Sequence, residues 1–184
     1  MINHIDLSSV LRRTVCEVYS DLVTRPTGAA VRTQIERQLA DVSGRTLTVI
    51  DFSHVGLLDF SCADEVVAKL LLRCEAATPP RELFFVVRGV NDSHLDAIET
   101  VLERHGLALV VEVLDGPPAL VGAVEDGEKR IWEALCLRPA RSLREIAQEL
   151  GLAHDEAARL VESLCRRRLV MRLDDGYLAV GAGT

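Results

Sequence analysis

Aromatic residues are scarce in this chain of 184 residues, 4% in all, with a single Trp and two Tyr. A core built without them must come from Leu, Val, Ala and Ile. The five cysteines (Cys16, Cys62, Cys74, Cys136 and Cys165) are scattered, odd in number and without a CxxC pair. That pattern argues against a disulfide framework or a zinc site and reads as buried thiols in a reducing cytosol. No apolar run approaches the roughly 20 residues needed to cross a bilayer. The N-terminus, MINHIDLSSVLRR, lacks the basic region and apolar core of a signal peptide. A cytoplasmic protein without a membrane segment is the expectation. A glycine-rich phosphate loop is missing too, and no cofactor is expected. Positive charge is also short: the net charge is −7, which works against nonspecific attraction to nucleic acid or anionic membrane.

What the chain does have is folding material. Hydrophobic residues make up 48% and charged residues 27%, the balance of a folded domain, at a length that holds one large domain or two small ones. The central stretch is Thr46 to Arg73. Thr46 to Phe52 is apolar, β-branched and short, the pattern of a strand covered on both faces. A turn follows through Ser53, His54, Val55, Gly56, Leu57, Leu58 and Asp59 to Phe60. A helix is then expected from Ser61, with Ser61 as its cap and Asp64 and Glu65 in its first turn.

Around that centre, residues 2 to 7 read as a short first strand or a loose arm. Ser8 or Ser9 caps a helix running to about Tyr19. Thr24 or Thr27 caps the next, with Ala30, Val31, Ile35 and Leu39 inward and Arg32, Gln34, Glu36 and Arg37 facing water. Thr78-Pro79-Pro80 is a break. Glu82 to Val87 is a second buried strand, and Asn91-Asp92-Ser93 is a cap cluster. The helix after it ends at Gly106. Leu107 to Val113 is a third strand, and Ala119 to Gly122 pairs back on the sheet. Alternating strands and helices predict an α/β fold with a mostly parallel sheet.

From about Glu125 the texture changes. Asp126 or Gly127 opens a helix that ends before Pro139. Ser142 caps a second, Leu143 to Leu150, with Glu145 completing a capping box. Gly151 is the turn, and a third helix spans Asp155 to Arg167. Leu169 to Leu173, then Asp174-Asp175-Gly176, then Tyr177 to Val180 read as a hairpin. Three helices and a hairpin predict a small winged helix-turn-helix. The expected divisions are therefore 1–24, an N-terminal helical segment; 25–123, an α/β domain; and 124–184, a winged-helix domain.

Two families are similar in part. Val49-Ile50-Asp51-Phe52-Ser53-His54-Val55 and Asp59-Phe60-Ser61-Cys62-Ala63-Asp64-Glu65 resemble a STAS domain, the fold of the anti-sigma-factor antagonists, and more closely the STAS-like domains of unknown function. The resemblance covers residues 25 to 122. In phosphorylatable antagonists a Ser or Thr follows the aspartate, whereas here Phe60 does, with Ser61 one place on and Cys62 where Gly is usual. The resemblance implies a non-enzymatic regulatory module that docks on another protein. Ser142 to Leu152, with Leu164 and Leu169-Val170, is similar to the winged-helix transcriptional regulators, whose third helix enters the major groove. Of the positions that would face DNA, Asp155, Glu156 and Glu162 are acidic, and His154, Ala158 and Arg159 are not.

The candidate sites follow. Asp51, Ser53, Asp59, Ser61, Asp64 and Glu65 form a partner-docking or phospho-switch surface, weighed against plain capping and dipole compensation. A phosphate on Ser61 suits a helix N-terminus, but Asp64 and Glu65 oppose it. Pairing of His54 with Cys62 as base and nucleophile is weighed against a loop histidine and a buried thiol, and no catalytic or metal site is assigned. His154, Arg159, Arg166, Arg167, Arg168 and Arg172 are the DNA-binding candidates. Against them, residues 125–184 hold ten Lys and Arg against eleven Asp and Glu. The expected function is that of a non-enzymatic transcriptional regulator: a STAS-like module for a protein partner coupled to a winged helix for DNA. The competing reading is a partner-switching adaptor whose winged helix does not bind DNA. The Ser8 to Tyr19 helix packs on the sheet or on a second copy in a homodimer.

Overall fold

The computed structural model describes residues 1–15, 20–77, 81–113 and 116–182. Its centre is a five-stranded sheet in the order β1 (Ile2–Asp6), β2 (Thr46–Asp51), β3 (Leu83–Arg88), β4 (Ala108–Val111), β5 (Ala119–Gly122). The first four strands are parallel and β5 runs antiparallel to β4. Residues 2–6 are thus an edge strand in register with β2, Ile5 opposite Ile50.

Strand side chains alternate between faces, and each face meets its own layer. Ile5, Ile50, Phe52, Phe85, Val87, Leu109 and Val111 pack with α1 (Leu7–Thr14), α2 (Arg25–Ala40), α3 (Phe60–Ala63), α4 (Leu70–Glu75) and α5 (Asp92–Arg104). Between α3 and α4 the same helix continues as a π-helical segment, Asp64–Lys69. On the other face Leu47, Phe84, Val86, Ala108, Val110 and Leu120 form one cluster with α6 (Asp126–Leu137), α7 (Leu143–Leu150), α8 (His154–Arg166) and the hairpin β6 (Val170–Leu173) and β7 (Gly176–Ala179). The continuous apolar runs of β2 and β3 follow from this double cover: a one-sided sheet would alternate.

Local signals explain the element starts, with corrections. Asp6, not Ser8 or Ser9, caps α1 by accepting from the Ser8 N–H at 2.9 Å. α1 ends at Thr14, and its expected continuation to Tyr19 lies outside the described residues, as does the Thr78-Pro79-Pro80 break. Leu7, Val10 and Leu11 of α1 are buried against the sheet, so this helix packs there. Thr24 precedes α2 without capping it through its side chain. Arg32, expected to face water, is buried, for the reason given below. In the C-terminal layer Ser142 and Glu145 form their capping box, and Glu125 with Glu128 forms a second that opens α6. α8 ends in a Schellman pair: the Arg168 N–H donates to the Cys165 carbonyl and the Leu169 N–H to the Leu164 carbonyl, with Arg168 at φ 60°.

Candidate functional site

The carboxyl end of β2 delivers the chain into a turn held from several sides. Asp51 accepts from the Ser53 N–H at 2.8 Å and pairs with Arg88 at 2.8 Å. Burial alone would raise its pKa, but the Ser53 hydrogen bonds and Arg88 outweigh that and lower it. Residues 20–22 lie alongside: the Gly56 N–H donates to the Ser20 carbonyl, the Leu22 N–H to the Leu57 carbonyl, and the Asp59 N–H to the Leu22 carbonyl. Asp59, rather than Ser61, is the helix cap. Its carboxylate accepts from the Cys62 N–H at 2.7 Å, the Ser61 hydroxyl at 2.8 Å and the Thr24 N–H at 3.0 Å. The physical reason is register: α3 begins at Phe60, whereas a Ser61 cap would start it at Cys62, so the cap falls on Asp59. Thr24 sits at φ 78°, a costly place for a β-branched residue, and Asp59 together with the Cys62 thiol on its carbonyl holds it there.

This clamped turn presents Leu57 and Phe60 to solvent, 59% and 57% exposed, in a protein with few aromatics. Replacing Asp59 with Ala is expected to cost about 2 kcal/mol in a chemical-denaturation series, the upper range for a lost cap. Ser61→Ala, losing one exchangeable hydroxyl bond, is expected to cost under about 1 kcal/mol. Equal costs would mean that Ser61 shares the cap.

Asp64 and Glu65 do not act as a solvated first turn. Both are buried, 8% and 4% exposed, in the π-helical segment. In a regular α-helix successive side chains diverge by about 100°; here both acids face bases on neighbouring helices. Asp64 meets Arg25 at 2.8 Å and His105, at the end of α5, at 2.7 Å. Glu65 meets Arg25 at 3.0 Å and Arg32 at 3.2 Å, and it also bonds Lys69. Arg32 continues to Glu36 at 2.6 Å, which accounts for its burial. Burial raises the Asp64 pKa, but hydrogen bonds from Arg25 and His105 and the charge of Lys69 prevail and hold it at about 2. Gly28 permits this approach of α2: a Cβ there would meet the Cys62 Cα at 2.9 Å.

Chemistry at cysteine is disfavoured. Burial, then the Asp59 charge, pushes the Cys62 thiol up to about 12, so at neutral pH it is no thiolate. Burial likewise pushes Cys74, Cys136 and Cys165 to about 11. His54 is exposed. Among the described residues no group of three His, Cys, Asp or Glu is placed to hold a metal.

Three of the six C-terminal candidates are paired with carboxylates. Arg159 pairs with Glu125 at 3.2 Å, and Arg172 pairs with Glu162 and lies over the Tyr177 ring at 5.9 Å. Arg167 turns inward to the buried Glu128 at 2.6 Å and to the Ala123 carbonyl. Arg168 also turns inward, lining a void of about 20 Å³ with Leu71, Glu75, Phe85 and Leu109, and its Nη1 is buried without a hydrogen-bond partner. Arg166 and His154 remain outside, His154 beside exposed Asp155 and Glu156.

No protein-family model matches the chain, and no curated protein is similar to it.

Sequence reasoning missed Arg25, Arg32, Lys69 and His105 as partners of the two acids, and Leu57 and Phe60 as the exposed part of the turn. Two signals were available: Gly28 inside a helical pattern marks a close helix contact, and Lys69 stands four residues after Glu65. Contacts between residues about 40 apart, such as Asp64 with His105, leave no periodic trace.

Proposed function

We propose that this is a non-enzymatic regulatory protein, STAS-like in its α/β layer, that docks a protein partner through the turn from Asp51 to Glu65. The observation carrying this reading is the pair Leu57 and Phe60, held in the open by a turn whose backbone is fixed by Asp59 and residues 20–22. Apolar and aromatic anchors on a rigid frame bind at a low ordering cost. Asp51, Ser53, Asp59 and Ser61 shape that frame, while Asp64 and Glu65 brace it from below. A phosphoryl group on Ser61 would stand against the Asp59 carboxylate that its hydroxyl now faces, so docking without phosphorylation is the simpler mode. Among the described residues no helix is long and apolar enough to cross a membrane, and the docking is assigned to a cytoplasmic setting.

The C-terminal layer is winged-helix-like in its order of elements, and we assign it to the adaptor role. The pairing of Arg159, Arg167 and Arg172 with carboxylates and the burial of the Arg168 Nη1 favour that over DNA contact. The full chain is expected to show no salt-dependent anisotropy change with random duplex DNA. Binding that weakens steeply with salt and is lost in an Arg159, Arg166, Arg172 triple Ala variant would restore the transcriptional-regulator reading. For the docking turn, chemical crosslinking in a cell extract should give an adduct that Leu57→Ser with Phe60→Ser abolishes while circular dichroism stays unchanged. Adduct formation by the folded double variant would refute the turn as the docking surface.

A further inference from the structure

At the carboxyl ends of β2, β3 and β4 lies a cleft of about 500 Å³. The turns after these strands converge there: Ser53 and Val55 after β2, Gly89 and Asn91 after β3, and Glu112 and Val113 after β4. The cleft shares Ser53 and Val55 with the docking turn, and its ligand binds without a protein partner.

Its polar groups are unevenly satisfied. His94 is 2% exposed, and its Nε2 lies 3.1 Å from the Gly56 carbonyl, which accepts. That contact places the proton on Nε2 and leaves Nδ1 as a lone-pair acceptor, buried and without a hydrogen-bond partner. Next to it the strand ends form a charged row. Asp51 is in register with Arg88, and Glu112 follows Val111, the register partner of Val87. Asp51 takes Arg88, leaving the Glu112 carboxylate without an ion pair among the described residues. On the donor side, the Arg88 side chain is 40% exposed. Asn91 uses its oxygen to cap α5 through the His94 N–H, and its amide hydrogens have only the protonated Nε2 nearby. Val55, Val90 and Val113 supply apolar wall.

We infer that this cleft binds a small zwitterion of the α-amino-acid type with an aliphatic side chain. Glu112 receives the ammonium group, Arg88 and the Asn91 amide receive the carboxylate, and the valines receive the side chain. Either charge alone leaves one half of the polar lining unmatched. A neutral ligand leaves Glu112 unpaired.

The test is calorimetric titration of the full chain with L-leucine, and with its two halves, 3-methylbutylamine and 4-methylpentanoate. Leucine is expected to bind at least about tenfold more tightly than either half, the scale of one charge-assisted hydrogen bond. Glu112→Gln should weaken leucine and the amine by about tenfold and leave 4-methylpentanoate unchanged, with the melting temperature of the variant confirming its fold. No binding of leucine or valine at millimolar concentration would overturn the inference. So would amine binding as tight as that of leucine, or leucine binding indifferent to Glu112→Gln.

Discussion

Glu65→Ala should destabilise the protein by about 3 kcal/mol, far more than its position in a helix would suggest. The substitution removes the carboxylate that Arg32, Arg25 and Lys69 share. Arg32 has an 8% exposed side chain and keeps only Glu36. A buried guanidinium that loses one partner retains its desolvation cost, which is why breaking such a pair costs more than the pair contributes. Arg25 supplies the control. Its side chain is 51% exposed, so Arg25→Ala should cost no more than about 1 kcal/mol. Urea titrations of both variants decide the matter: a Glu65→Ala loss as small as the Arg25→Ala loss would show that the network is surface-like.

The same network sets a pH dependence with a definite sign. Asp64 is held at about 2, below its ordinary 3.8. A depressed carboxyl binds its proton more weakly in the folded state, so its contribution is complete above 3.8 and is lost as pH falls through about 2. Asp51, Asp59 and Glu65 are lowered too and act in the same direction. Cys62 works at the opposite end. Its pKa is raised from 9.0 to about 12, so its contribution is complete below 9.0 and lost as pH rises through about 12. Thermal unfolding across pH should therefore show a plateau with acid and alkaline shoulders, and Asp64→Asn should flatten the acid one.

The legible part of this molecule was the part written in local signals. β2 and β3 announced themselves as apolar runs, Ser142 and Glu145 as a capping box, and Asp174-Asp175-Gly176 as a hairpin turn; all are found near those places, with Asp174-Asp175 as the turn and Gly176 already in β7, opposite Leu173. The helix after β2 was legible, but its cap was not. Ser61 and Asp59 both carry an acceptor oxygen, and the choice between them depends on Thr24, which donates from 35 residues away. Arg32 followed a helical pattern that put it in water, yet a buried acid on another helix draws it inward. Arg167 and Arg168 look like a basic patch in one dimension; Glu128 and the gap beside Phe85 and Leu109 decide otherwise in three. Glu65–Lys69 and Arg32–Glu36 stand at i,i+4 and leave a helical trace, but the charges that pair between helices leave none, and that is where sequence reading ran short.

The largest expected effect concerns the two faces of the sheet. The sequence divides at about residue 124, and the divided pieces look like separate domains. Yet Leu47, Phe84, Val86, Val110 and Leu120 are buried by the C-terminal helices and hairpin, in one cluster with Ile131, Trp132, Leu160 and Val170. A chain ending at Val124 would expose that whole apolar face, well beyond what a soluble monomer tolerates. Such a truncation is expected to aggregate or to bind a hydrophobic dye strongly. In the full chain, Phe84→Ala should cost about 3–4 kcal/mol by leaving a cavity between the layers. It should shift a single cooperative transition, because one continuous core joins the sheet to the C-terminal layer. Two transitions, only one of them moved by Phe84→Ala, would mean that the layers fold independently. So would a soluble, cooperatively melting 1–124 fragment. If the single transition holds, the C-terminal layer serves as the second cover of the sheet, packed directly on Leu47, Phe84, Val86, Val110 and Leu120.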